Sequence, residues 1–179
     1  MMIDILCKND GRKLRVKVGS NLLDLARKEC PEAVDPKTGK RHPVLAALVD
    51  HKLKELSFNI FFPHEVTFIG YNDPDGRRTY IRSLSFLLQH AVRDVFPGKV
   101  LVVEHSLPSG LYCELREGRP GGPAFKPDAE GFERLRARMR ELVDKDLPFT
   151  TEKIPAEEAE ALFEAQGQPY KAELRRALG

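Results

Sequence analysis

The sequence predicts an α+β protein made of two small domains, residues 1–71 and 72–179. First, short runs that alternate apolar and polar residues, as half-buried strands do, recur through the first 70 or so positions. Second, turn-forming residues are concentrated at 72–76, where a domain boundary is expected. Third, the remaining sequence combines two strand-like runs with several amphipathic helical patterns.

The first domain opens with a predicted hairpin and a helix. Residues 3–7 and 14–18 are strand-like, and Asn9-Asp10-Gly11 lies between them as a turn, because these residue types tolerate positive φ. Gly19 breaks the second strand, and Ser20 is the predicted N-cap of a helix that contains Leu22, Leu23, Leu25 and Ala26.

Two returning strands complete this domain. Residues 31–43 form a polar loop, and the apolar run 44–49 is typical of a buried strand that ends in a turn at 50–52. Residues 65–69 give the last strand. A hairpin, one helix and returning strands predict a β-grasp-like sheet with the helix packed across one face.

The second domain begins with a predicted helix that opens at Arg82 and stops at Pro97-Gly98. Its apolar residues recur every three or four positions, as in a buried helical stripe: Leu84, Leu87, Leu88, Ala91, Val92 and Val95. Strands are predicted at 100–103 and 110–115, followed by a loop rich in glycine and proline at 118–127.

Three further helices are predicted near the end of the sequence. Asp128 caps the first, with Phe132, Leu135, Met139, Leu142 and Val143 on its core face. Pro155 suits the first turn of the next, and the last runs from 169 to 178. Because no finishing element follows, we expect the native protein to continue.

Composition limits the classes of function. Lys and Arg (29) nearly balance Asp and Glu (27), so a nucleic-acid interface must be local. The three cysteines are widely spaced, which predicts reduced thiols without a disulfide framework or a metal site. With no signal peptide and no long apolar run, the sequence predicts a soluble, cytoplasmic protein without membrane contact.

No complete catalytic motif is present, and we predict no catalytic residue, metal ligand or cofactor within this segment. The run Gly121–Lys126 only distantly resembles the phosphate-binding GxxxxGKS/T motif, because its proline removes an amide donor and no hydroxyl follows the lysine. The motifs GxSxG, HExxH and CxxC are absent as well.

Candidate ligand-binding residues are Arg77, Arg78, Arg82 and His105. The three arginines lie beside the predicted helix start, and a helix N-terminus with guanidinium groups can bind phosphate. His105 lies in the run Glu104-His105-Ser106, whose neighbouring side chains point to opposite faces of a strand and do not form a catalytic group together.

Residues 1–71 resemble a TGS domain. The resemblance rests on the opening strand, the turn at 9–11, Val18-Gly19-Ser20 before the helix, and the run from Leu45 to Leu53. It implies the β-grasp fold for this part of the chain.

The sequence from Arg82 onward resembles the editing domain of threonyl-tRNA synthetase. The matching runs are Leu87–Ala91, Phe96-Pro97, Gly110–Leu115, Arg138–Leu142 and a later stretch that ends at Tyr170-Lys171. In that family the helix opens with an HxxxH pair, whereas Arg82 and Phe86 occupy these positions here. The resemblance places the family's downstream Cys-His pair after Gly179, so we expect no editing chemistry.

The same domain order is similar to the front end of bacterial uridine (nucleoside) kinases. The runs 78–84, 103–105 and 112–116 carry this resemblance. It implies a downstream kinase domain in cis that uses ATP and Mg²⁺ to phosphorylate uridine or cytidine. In this reading the segment is a non-catalytic regulatory region that binds a nucleotide or RNA.

Two alternatives remain open at this point. The chain is an aminoacyl-tRNA editing domain that binds zinc and deacylates mischarged tRNA, or it is an RNA-binding adaptor. The adaptor would use Arg77, Arg78, Arg82 and Lys99, and its affinity would fall steeply with salt.

Overall fold

A computed structural model describes residues 1–35, 37–108 and 110–178 of the chain. Three positions lie outside the described residues: Pro36 in the predicted loop 31–43, Ser109, and Gly179 at the end of the second predicted domain. The chain divides into two units, Met1–Leu84 and Ser85–Gly179. This division falls inside a helix, whereas the predicted boundary precedes that helix.

The described residues of the first unit form nine short strands, one complete helix and the beginning of a second helix. In chain order these are β1 (Met2–Cys7), β2 (Lys13–Lys17), β3 (Ser20–Asn21), α1 (Leu22–Glu29), β4 (Glu32–Val34), β5 (Arg41–Pro43), β6 (Ala46–Val49), β7 (Lys52–Lys54), β8 (Asn59–Ile60), β9 (Glu65–Ile69) and α2 (Pro74–Val95). Five strands form one sheet in the order β2-β1-β9-β6-β7, in which β1 and β9 are parallel and the other neighbours are antiparallel.

One core stabilises the first unit, between α1 and the sheet. Its most deeply buried large side chains are Ile5, Leu22, Ile60, Val66 and Phe68. The alternation of buried and exposed residues along β1 agrees with the predicted pattern, since successive strand side chains point to opposite faces.

Local turn and cap chemistry explains the borders of several elements. The turn between β6 and β7 places Asp50 and His51 at φ values of 47° and 65°, as a two-residue hairpin turn requires. The N-cap of α1 is Asn21, whose side chain accepts a hydrogen bond from the amide of Leu23 at 2.9 Å. The predicted cap, Ser20, instead lies in β3 and pairs with Ile60.

In the second unit, the residues that the structure describes form the end of α2, three strands and three helices. The complete elements are β10 (Lys99–Leu107), β11 (Gly110–Glu117), β12 (Ala124–Phe125), α3 (Ala129–Asp144), α4 (Ala156–Ala165) and α5 (Pro169–Ala177). The strands form one antiparallel sheet in chain order. Its core contains Ala91, Val92, Phe96, Leu115, Leu135 and Leu142. The predicted α+β class is therefore confirmed for the chain.

The prediction that a helix opens at Arg82 is wrong, because α2 begins at Pro74. Asp73 caps this helix: its Oδ1 accepts a hydrogen bond from the amide of Asp75 at 2.8 Å. Proline suits the first helical position, since its missing amide hydrogen has no partner there in any helix. Gly76 belongs to the first turn of α2 and is not part of a separate turn.

Smaller corrections concern two predicted loops and one helix face. Strands β4 and β5 pair within the predicted loop 31–43, and β12 lies within the predicted loop 118–127, where Phe125 pairs with Leu115. Asp128 does cap α3 by accepting a hydrogen bond from the amide of Gly131 at 2.7 Å. On that helix, however, Phe132 and Val143 are exposed and do not belong to the core.

Among the described residues, no helix combines the length and the apolar composition needed to cross a membrane. This includes the 22-residue helix α2, which is long enough but carries several charged residues.

Candidate functional site

Two tyrosines and an arginine form an exposed cluster at the beginning of α2. The guanidinium carbon of Arg77 lies 5.6 Å from the ring centroid of Tyr71, which is within the range of a cation–π contact. The rings of Tyr71 and Tyr80 meet edge to face, with centroids 5.2 Å apart. Both tyrosines are more than 40% exposed, so their rings remain accessible to a ligand. We call Tyr71, Arg77 and Tyr80 the α2 cluster.

The predicted arginines differ in whether a nearby carboxylate neutralises their charge. Arg78 forms an ion pair with Asp75 one turn earlier, which partly neutralises it. Arg82 lies four residues after Arg78 on the same helix face, is exposed, and has no ion pair within the described part of the chain. Arg77 and Arg82 are therefore better placed than Arg78 to contact an anionic ligand.

The amides at the start of α2 do not support the predicted phosphate site. The Asp73 carboxylate already accepts from the amide of Asp75, and an added phosphate would meet a negative charge there. In addition, Gly76 packs directly on the backbone of Gly70, where an added Cβ would overlap the carbonyl group. Phosphate binding at this end of α2 depends on the arginine side chains alone.

His105, the fourth predicted ligand-binding residue, lies in the second unit on β10. It faces Tyr112 across the strand pair, and the two rings stack with centroids 5.0 Å apart. The hydroxyl of Tyr112 donates to a carboxylate oxygen of Glu114 at 2.9 Å, and this bond raises the pKa of the phenol. The structure thus places the three arginines on one helix of the first unit and His105 on a strand of the second.

The two positions that match the HxxxH pair of the editing family lie on one helix but lack metal-binding chemistry. Arg82 has no lone pair to offer a metal, and Phe86 has no polar atom. The ring of Phe86 packs against Phe149, with centroids 5.6 Å apart. Nor do the described residues contain any group of three or more His, Cys, Asp or Glu side chains that could hold a metal ion. The side chains at positions 82 and 86 do not fit zinc.

The cysteines are not placed for nucleophilic catalysis. Cys7, Cys30 and Cys113 are free thiols, and burial raises the pKa of each. A raised pKa lowers the thiolate fraction near neutral pH, and the thiolate is the reactive form.

The second unit contains a cleft of about 570 Å³. Its walls come from the second half of α2, the start of β10 and the segment that joins α4 to α5. Phe86, Phe163 and Tyr170 are among its apolar and aromatic lining residues, and Arg93, Lys99 and Lys171 contribute positive charge. This volume is within the range of small-molecule sites in proteins.

Some of these residues have no direct signature in the sequence. Tyr71 and Tyr80 lie on either side of the predicted boundary turn, and only the helix start at Pro74 brings their rings together. Arg93 and Lys171 are distant in the sequence and meet only in the cleft.

No family model matches the chain. Similarity to individual proteins is nevertheless extensive. The chain is 33% identical over 147 residues to a threonine–tRNA ligase of Methylococcus capsulatus, which covers 82% of the chain and 22% of that protein. It is 31% identical over 169 residues to the ligase of Maricaulis maris, covering 94% of the chain and 24% of that protein. A ligase of Clostridium kluyveri matches 99% of the chain at 27% identity.

The chain spans about a quarter of the length of these relatives. The resemblance to threonyl-tRNA synthetase predicted from sequence motifs is confirmed over most of the chain, whereas the kinase context has no support among these relatives.

Proposed function

We propose that this chain is a TGS-like and editing-like segment that binds RNA of the tRNA class without hydrolysing an aminoacyl ester. The observation that carries the proposal is the α2 cluster, in which two exposed tyrosine rings lie beside Arg77 at the beginning of α2. Arg82 adds a second exposed cation further along the same helix. Similarity to threonine–tRNA ligases over nearly the whole chain supports tRNA as the kind of RNA.

The chemistry of the α2 cluster suits RNA. Guanidinium groups contact phosphate oxygens, and exposed aromatic rings stack on unpaired bases. Contact with Tyr71 orients Arg77, so that less side-chain freedom is lost when a phosphate binds. Because the net charge of the whole chain is only +2, this local charge is the basis for attraction to RNA.

The absence of ester hydrolysis is inferred from positions 82 and 86. A metal-assisted or general-base mechanism needs a group that binds a metal or accepts a proton, and arginine and phenylalanine do neither near neutral pH. Arg82 retains a positive charge where the resemblance predicts a histidine. This charge favours binding of a phosphate over activation of a water molecule.

A more specific version of this proposal makes the RNA-binding segment a regulatory region of a uridine kinase. It adds a kinase domain in cis, with ATP and Mg²⁺ bound by residues outside this segment. Its test is the parent reading frame, which should encode a GxxxxGKS/T motif downstream. A frame that encodes a tRNA-ligase catalytic domain would contradict the kinase context and leave RNA binding as proposed.

The experiment is a titration of a fluorescently labelled tRNA with the purified chain, followed by anisotropy at several salt concentrations. The test variant is Arg77→Ala, Arg82→Ala. The control is Arg134→Ala, Arg140→Ala on α3, which removes the same charge from two exposed positions without a described ion pair. Circular dichroism establishes that both variants fold.

We expect the test variant to lose about tenfold or more in affinity, and the slope of log affinity against log salt to fall by about 1 for each phosphate contact removed. The control should change both quantities little. Equal losses in the two variants would mean that only net charge matters and would refute the α2 cluster as the site. Hydrolysis of mischarged tRNA by the chain would refute the non-catalytic part of the proposal.

A further inference from the structure

We propose that the cleft of the second unit binds a small phosphate ester that carries a planar ring, with Arg93 and Lys171 contacting the phosphate. This site is separate from the α2 cluster and does not depend on RNA binding. It follows from the charge, the hydrogen-bonding groups and the walls of the cleft.

The charged side chains that line the cleft are basic. Arg93, Lys99 and Lys171 line it, and none of its described lining residues is an aspartate or a glutamate. Lys99 has a partner, since its Nζ lies 2.7 Å from a carboxylate oxygen of Glu117. Arg93 and Lys171, in contrast, form no ion pair within the described part of the chain. Two cations without a carboxylate partner make the cleft a favourable place for an anion.

The environment of Lys171 supports this view. Burial lowers the pKa of its ammonium group, and the positive charge of Arg93 lowers it further. The two cations therefore destabilise each other in the unliganded cleft. An anion between them would relieve this repulsion, and the planar guanidinium of Arg93 can donate two parallel hydrogen bonds to a phosphate.

One buried polar atom in the lining also lacks a hydrogen-bond partner among the described residues. The side-chain oxygen of Gln168 is buried and accepts no hydrogen bond from the described residues. Unpaired buried polar atoms are rare in folded proteins because they lose their hydrogen bonds to water. A hydroxyl or amino group on a ligand could donate to this oxygen, as the sugar or base of a nucleotide would.

The remaining walls suit a planar ring. Phe86, Phe163 and Tyr170 line the same cleft, and the Nζ of Lys171 lies 5.7 Å from the ring centroid of Phe163. Aromatic side chains stack on nucleobases without requiring a particular base. A cationic end, an unpaired acceptor and aromatic walls together fit a mononucleotide-sized phosphate ester better than inorganic phosphate alone.

The test is isothermal titration calorimetry of the whole chain with AMP, adenosine and inorganic phosphate. We expect AMP to bind in a 1:1 ratio and adenosine to bind at least about tenfold more weakly, because it lacks the charge. Inorganic phosphate should compete with AMP. Failure of AMP to bind, or equal binding of AMP and adenosine, would overturn the proposal.

Variants locate the site. Lys171→Met and Arg93→Gln should each weaken AMP binding by about tenfold or more, and Lys171→Arg should retain most of the affinity. The control is Lys126→Met, an exposed lysine outside the cleft lining. Arg93→Gln tests the same cleft if Lys171→Met does not fold.

Unchanged AMP affinity in both cleft variants would overturn the assignment. The variant Arg77→Ala, Arg82→Ala should bind AMP normally, which separates a failure of this proposal from a failure of the proposed RNA binding.

Discussion

Substitution of Gly76 by alanine tests how the first turn of α2 is positioned. A Cβ at this position would overlap the carbonyl oxygen of Gly70 and lie 2.7 Å from its carbonyl carbon, whereas Cβ atoms in proteins stay at least 3.0 Å from such neighbours. The obstacle is backbone, so no side-chain rotation relieves the overlap. The helix start must shift, or the chain at Gly70 must move.

The expected cost follows from two opposing effects. Overpacking costs about 1–3 kcal/mol, and a backbone obstacle places this substitution near the upper value. Alanine gains up to about 1 kcal/mol over glycine from helix propensity. We therefore expect the free energy of unfolding to fall by about 2 kcal/mol for Gly76→Ala. Because Arg77 adjoins this position, we also expect weaker tRNA binding.

The assay is urea unfolding followed by circular dichroism. The control is Gly121→Ala, where an added Cβ meets no atom within 4 Å and the backbone is not in the left-handed region. We expect that control to change the free energy of unfolding by less than about 0.5 kcal/mol. A Gly76→Ala variant as stable as the wild type would refute the close approach of α2 to Gly70.

Three further predictions concern stability. Phe68→Ala should lower the free energy of unfolding by about 3–5 kcal/mol in urea unfolding, because Phe68 is among the largest fully buried side chains of the first unit. Hydrogen bonds from Arg138 and then Lys145 lower the pKa of Glu141 from 4.5 to about 2. Above pH 4.5, wild type should therefore have a larger free energy of unfolding than Glu141→Gln. Acid titration should show this difference disappearing as the pH falls towards 2. The difference should also become smaller at high salt, because salt screens exposed charges. Burial and then the charge of Arg93 lower the pKa of Lys171, which means that the charged form of this lysine destabilises the folded state. In thermal melting near pH 7, Lys171→Met should therefore be at least as stable as wild type. As the pH rises towards 10.5, wild type should gain stability relative to Lys171→Met, because the lysine loses its charge more readily in the folded state.

Elements governed by local chemistry could be predicted from the sequence. The predicted turns at 9–11 and 50–52 contain residues that adopt the left-handed conformation, and the structure places Gly11, Asp50 and His51 there. The Asp128 cap likewise depends only on residues within one turn of α3. In each case the decisive contact lies within a few positions of the residue that makes it.

Elements governed by contacts between distant residues could not be predicted from the sequence. Gly76 resembles a turn former in the sequence, yet it belongs to a helix and is required because Gly70 lies against it. Apolar periodicity predicted a core position for Phe132, but the side chain is exposed because the neighbouring face of α3 packs inward.

The candidate site divides in the same way. Arg77, Arg78 and Arg82 were predicted from their position beside the predicted helix start. The pairing of Arg78 with Asp75 and the packing of Arg77 on Tyr71 depend on a helix start that the sequence pattern misplaced. The cleft has no local sequence pattern, since Arg93 and Lys171 lie on different helices.

Ultraviolet cross-linking of a tRNA to the wild-type chain, followed by mass spectrometry of the attached peptides, tests the central claim most directly. We predict nucleotide adducts on the peptides that contain Tyr71 or Tyr80, and loss of these adducts in the variant Arg77→Ala, Arg82→Ala. Adducts confined to peptides outside residues 70–84, unchanged in that variant, would contradict RNA binding at the α2 cluster.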